Sequence, residues 1–152
     1  MTDRVEVSRE INASPQEVWN AITDITRMGE WSPECHTCEW DDGATGPVVG
    51  ATFTGHNRNG EFEWTTQAEV MECVPNEKFA FDGVFGDLHF SKWAYIIEQT
   101  ESGSRVTETW EEGRPPEVIE MTKGISGVED RTSHNRAGME QTLERLAAAV
   151  ES

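Results

Sequence analysis

The chain has 152 residues, 36% of them hydrophobic and 27% charged, a length and composition that support a buried core and exclude wholesale disorder. Twelve basic against twenty-nine acidic side chains give a formal charge of -17, a surface that repels nucleic-acid phosphates and anionic lipid headgroups. No apolar run approaches the ~18 residues of a membrane span. The start, Met1-Thr2-Asp3-Arg4-Val5-Glu6, lacks the apolar stretch of a signal peptide, so the chain reads as cytoplasmic, with no stable membrane insertion and no nucleic-acid partner. An odd count of cysteines, Cys35, Cys38 and Cys73, does not suit a disulfide framework.

From Arg4 to Ala13, apolar Val5, Val7 and Ile11 alternate with polar neighbours, as in a strand with one wet face. Ala13-Ser14-Pro15-Gln16-Glu17-Val18-Trp19 follows. Ser14 is a natural N-cap, Pro15 suits the first helical position, and Glu17 lies three residues after the cap. Gly29 and Trp31-Ser32-Pro33 keep that helical segment short.

From Cys38 to Trp110 the period changes to two. The pattern predicts strands over Thr37–Asp41, Ala51–Asn57, Glu63–Val74, Lys78–Phe81, His89–Glu98 and Arg105–Glu111. Asn59-Gly60 is a strong hairpin signal, and Pro75-Asn76 reads as a turn. Strands joined by short turns imply an antiparallel meander. Gly113-Arg114-Pro115-Pro116 then stops the last strand, and Glu117–Met121 reads as a loose helical turn. The longest helix is expected from about Glu129 to Val150, with Met139, Leu143, Leu146 and Val150 on one stripe.

The expected architecture is α+β: a curved seven-stranded antiparallel sheet wrapped around the long C-terminal helix, with two short helices after the first strand. The sheet must bury one face, and that helix is the long element available to cover it. Residues 1–152 are expected to form one domain, since no linker or repeat divides the chain.

Several segments resemble the START-like (SRPBCC) superfamily, in particular its polyketide cyclase/dehydrase branch. They are Ala13-Ser14-Pro15-Gln16-Glu17-Val18-Trp19, Ile22-Thr23-Asp24-Ile25, Met28-Gly29-Glu30-Trp31-Ser32-Pro33-Glu34, Gly103-Ser104-Arg105-Val106-Thr107-Glu108, and the closing Gln141-Thr142-Leu143-Glu144-Arg145-Leu146. The resemblance covers essentially the whole chain. It implies a helix-grip fold whose pocket, between sheet and C-terminal helix, takes hydrophobic or amphipathic small molecules. It implies no particular reaction, because one scaffold hosts carriers, cyclases and sensors.

Aromatic residues crowd the meander, and large aromatic surfaces build apolar pocket walls. The expected lining is Phe53, Trp64, Phe81, Phe85, Trp93, Tyr95 and Trp110, with Met121 and Met139. His56, Tyr95, Glu108 and His134 are the polar candidates for catalysis. Glu108 alternates with Val106 and Trp110, so it shares their face. Cys35-His36-Thr37-Cys38 offers two thiolates and an imidazole, but no further Cys-X-X-Cys or His-X3-His supplies a fourth ligand. Neither a metal nor a cofactor is expected, and no thioredoxin-like pattern surrounds the cysteines.

Three readings of function follow. The first is a binding protein for a lipid, polyketide or aromatic metabolite. The second is a cyclase or dehydrase acting in the same pocket. The third is an interaction module, of stress or toxin–antitoxin type, without a ligand. A monomer or weak homodimer is expected.

Overall fold

The computed structural model describes residues 3–151. Met1, Thr2 and Ser152, which the expected 1–152 domain includes, lie outside the described residues. Strand β1 covers Arg4–Ile11, and α1 covers Pro15–Thr23, followed by a 3-10 helix over Ile25–Glu30. The meander is β2 (Cys35–Trp40), β3 (Thr52–Asn59), β4 (Phe62–Val74), β5 (Lys78–Phe85), β6 (Leu88–Gln99) and β7 (Ser104–Glu112). Helices α2 (Pro116–Ser126) and α3 (Arg131–Val150) end the chain. No helix among the described residues is long and apolar enough to cross a membrane.

The seven strands form one antiparallel sheet in the order β1-β7-β6-β5-β4-β3-β2, so β1 closes onto the last strand of the meander. α1 begins with the expected capping box. The Ser14 hydroxyl accepts from the Glu17 N–H, and the Glu17 carboxylate reaches back to the Ser14 N–H. Gly103 fixes the β6–β7 turn against the end of β1. Its φ of 151° is open to glycine alone, and a Cβ there would lie 2.5 Å from the Ile11 carbonyl oxygen.

α3 buries Asn135, Met139, Thr142, Leu143, Leu146 and Ala147 at helical spacing. Most of the buried core is one cluster, joining Ile11, Val18, Ile22, Phe53, Phe79, Phe81, Tyr95, Ile97, Val106, Leu143 and Leu146. A smaller cluster of Val5, Trp110 and Met139 sits beside it.

Two expectations about elements need correction. The strand predicted to end at Phe81 runs on to Phe85, with Gly83 inside it opposite Ser91. Gly83 serves packing there, because a Cβ would come within 2.6 Å of the Phe90 ring. The loose turn predicted over Glu117–Met121 is an eleven-residue helix. The two prolines that stop β7 also start it, since Pro116 occupies the first helical position, where the missing N–H leaves no bond unmade.

Candidate functional site

The β6–β7 register sets Tyr95 directly opposite Glu108, and Trp93 opposite Trp110. Alternation then turns all four toward α3. Tyr95 and Glu108 are both buried, and Glu108 Oε1 has no hydrogen-bond partner among the described residues. Burial pushes the Glu108 carboxyl up to about 8, against the opposing pull of the Tyr95 hydroxyl. Burial also pushes the Tyr95 phenol well above its ordinary value. The facing Glu108 carboxylate and the thiols of Cys35 and Cys38 add to that shift. At neutral pH the site therefore presents two O–H groups within an apolar interior.

Those two thiols complete the polar belt of the inner face. Cys35 and Cys38 are buried with their Sγ atoms 3.1 Å apart. Asn57, the cross-strand partner of Cys35, is buried beside them, and its side-chain amide donates to the Thr66 hydroxyl at 3.0 Å. On α3, Asn135 is buried, and its Nδ2 has no partner among the described residues.

The aromatic candidates divide. Phe53, Phe81, Trp110 and Met139 are buried, while Trp64 and Trp93 are half-buried. The Phe53 ring meets Trp40 and Phe81 at centroid distances of 5.5 and 5.2 Å, and Phe79 continues the contact chain from Phe81 to Trp19. Phe85 is 80% exposed and Met121 62% exposed, one at the far end of β5 and the other on the outer face of α2.

The two histidine candidates lie away from Tyr95 and Glu108. His56 Nε2 is 2.9 Å from Glu39 Oε1 in an exposed pair on the outer face of the sheet. His134 Nε2 lies 3.0 Å from Glu34 Oε2, which also holds Arg131 Nη1 at 2.8 Å. Burial raises the Glu34 carboxyl, but His134 and Arg131 outweigh it and hold the group below the usual carboxylate range.

Two open cavities lie at the rim of the fold. One, of about 270 Å³, is lined by His36, His56, Asn57, Glu63, Trp64 and Thr65 along the β2–β3–β4 end. The other, of about 150 Å³, lies between β7, α2 and the start of α3, and includes Glu112, Arg114, Lys123 and Arg131. Neither is lined by Tyr95 or Glu108. Among the described residues, no three His, Cys, Asp or Glu side chains are grouped to hold a metal ion.

Sequence reading missed Asn57 and Asn135 as interior groups. The signal was present for both. Asn57 alternates with Gly55 and buried Phe53, and Asn135 stands one helical repeat before Met139.

The fold recurs in solved structures. A Polyketide_cyc-like protein from Corynebacterium glutamicum is 33% identical, covers 99% of this chain and 90% of its own, and superposes with a TM-score of 0.61. A protein from Chromobacterium violaceum shares 19% identity over 99% of both chains, with a TM-score of 0.74. The di-domain ARO/CYC StfQ of the steffimycin biosynthetic pathway shares 14% identity with a TM-score of 0.74. The match covers 99% of this chain and 51% of StfQ. No curated protein matches the chain. The helix-grip, START-like resemblance holds over the whole sheet and its closing helix. A family model described as polyketide cyclase / dehydrase and lipid transport matches residues 2–151, and the chain belongs to that family.

Proposed function

We propose that this chain binds a hydrophobic or amphipathic small molecule, a lipid, polyketide or aromatic metabolite, between the sheet and α3, with its polar group at Tyr95 and Glu108. The observation that carries this reading is the enclosed Glu108 carboxyl, one oxygen of which has no partner among the described residues. A polar atom left unbonded in an apolar interior costs about 1–3 kcal/mol, and a ligand carbonyl or hydroxyl placed there removes that cost. The family description, which names both cyclase or dehydrase activity and lipid transport, supports a ligand of this class. The Phe81 ring packs against both Phe53 and Phe79, so the ligand makes room by displacing side chains of this wall.

The same pair favours a second reading, an enzyme of cyclase or dehydrase type. A carboxylic acid that titrates near neutrality beside a phenol is suited to passing a proton to a ketide carbonyl.

Native mass spectrometry of freshly purified protein, followed by melting curves with fatty acids and aromatic ketides, tests binding. A retained apolar molecule, or a melting temperature that climbs with ligand concentration, is the expected result. Tyr95→Phe should then weaken binding about tenfold, the loss of one hydrogen bond of ~1.4 kcal/mol. A clean unliganded mass together with no shift across the panel overturns the binding reading. Turnover of a ketide that is lost in both Tyr95→Phe and Glu108→Gln would select the enzyme.

A further inference from the structure

Two residues three apart on a regular strand point to opposite faces of the sheet. Cys35 and Cys38 do not, because the register shifts between Cys35 and Thr37. Cys35 pairs with Asn57 and Thr37 with His56, so that His36 is the extra residue of a β-bulge. The bulge brings both thiols to the inner face, 3.1 Å apart. Across from them stands Gly55, the partner of Cys38. A Cβ there would lie 3.3 Å from Cys35 Sγ and 3.5 Å from Cys38 Sγ, so the missing side chain leaves the space that both sulfurs fill. The third cysteine, Cys73, is on β4 with its thiol on the Pro47 carbonyl, and takes no part.

We propose that Cys35 and Cys38 are a modification site that a small peroxide oxidises to a reversible disulfide within β2. The shared hydrogen bond lowers the Cys35 thiol below its ordinary value and, with burial, raises Cys38, which makes Cys35 the attacking thiolate and Cys38 the resolving thiol. Both are buried, which favours a co-reactant as small as hydrogen peroxide over glutathione disulfide. The exposed bulge residue His36 and the Cys35 partner Asn57 line the 270 Å³ groove, the route by which peroxide arrives.

In the first step the Cys35 thiolate attacks one peroxide oxygen and the O–O bond breaks, giving a sulfenic acid and hydroxide. Hydroxide takes a proton from solvent. The Cys38 sulfur then attacks the Cys35 sulfur, the S–O bond breaks, and the thiol proton leaves with that oxygen as water. Two thiols lose two electrons, one peroxide gains them, and two waters form. Closure joins residues whose sulfurs are already in contact, so β2 and its pairing with β3 persist.

The test uses the unmodified full chain. The protein is exposed to hydrogen peroxide, quenched in denaturant with iodoacetamide, digested with trypsin and weighed. Cleavage after Arg27 and Arg58 leaves Cys35 and Cys38 on one peptide and Cys73 on another. The expected result is a 28–58 peptide lighter by two hydrogens and free of alkylation, with Cys73 alkylated. Dithiothreitol before the quench should restore two alkyl groups. Two alkyl groups on the 28–58 peptide after peroxide would overturn the proposal, as would sulfinic or sulfonic acid at Cys35. Met28 Sδ lies 3.8 Å from Cys38 Sγ, so the three sulfurs also invite a soft metal ion such as copper(I). Stoichiometric copper in the purified protein, with both thiols resistant to peroxide, is a third result that overturns it.

Discussion

A carboxyl group enclosed behind β7 has little water to solvate its charge, so Glu108 keeps its proton to about pH 8 where an exposed glutamate loses it near 4.5. Between those two values the folded chain holds a proton that the unfolded chain releases. Stability therefore falls as pH rises through that window and levels off above it. At ~1.4 kcal/mol per pH unit the full effect is of the order of several kcal/mol. Glu34 and Glu112, held low by their basic neighbours, act in the opposite sense. Their contribution is complete above the ordinary carboxylate range and is lost only as pH falls below it. The two windows thus separate. In urea denaturation at pH 5, 7 and 9, the wild type should lose about 2 kcal/mol or more from the lowest to the highest pH. Glu108→Gln, which keeps the shape without the charge, should show a nearly flat profile. Equal wild-type stability at pH 5 and 9 would contradict the enclosed, neutral state on which both functional readings depend.

Period-two alternation located the strands of the meander at the level of elements, because most have one face on the core and one in solvent, whereas β5 is buried continuously from Phe79 to Gly83. Misreadings came where one residue type has two uses. Gly83 reads as a break but sits in β5 to make room for a ring, and the proline pair after β7 reads as a stop but also begins α2. Alternation also identified Glu108 as inward-facing. It could not show that Phe85, at the end of β5, is left exposed, or that α2 turns Met121 outward, since both depend on how far neighbouring elements reach. The seating of α3 was legible only in space. Glu34, just before β2, holds Arg131 in the first turn of α3 across 97 residues of sequence. Asn135 also accepts from that guanidinium at 3.2 Å. Removing the guanidinium leaves a mostly buried carboxylate with only His134 against it, so Arg131→Ala should cost about 1–3 kcal/mol in denaturant midpoint analysis. A change within ~0.5 kcal/mol would mean that the Arg131 ion pair adds nothing to the hold that the apolar stripe and His134 already have on α3.

Charge acts on the molecule as a whole. Arg4, Arg27, Arg58, Lys78, Arg105, Arg114, Lys123 and Arg131 each already hold a carboxylate, yet the acidic excess leaves a net charge of -17. Exposed pairs such as Arg58–Glu63 contribute little, about 0–1 kcal/mol each, and salt weakens them. Repulsion among the unpaired carboxylates spans the whole surface and is relaxed when the chain expands. Raising sodium chloride from ~0.01 to ~0.15 M shortens the Debye length from ~30 to ~8 Å. That screens distant like charges more strongly than ion pairs in contact. The melting temperature at neutral pH should therefore rise with salt, by ~3 °C or more if repulsion costs about 1 kcal/mol in a chain of this size. Sodium chloride is the salt to use, because sulfate would strengthen apolar burial and confuse the cause. A fall in melting temperature would mean that the contact pairs, led by the enclosed Arg114–Glu112 pair at 2.7 Å, outweigh the repulsion of the remaining acidic surface.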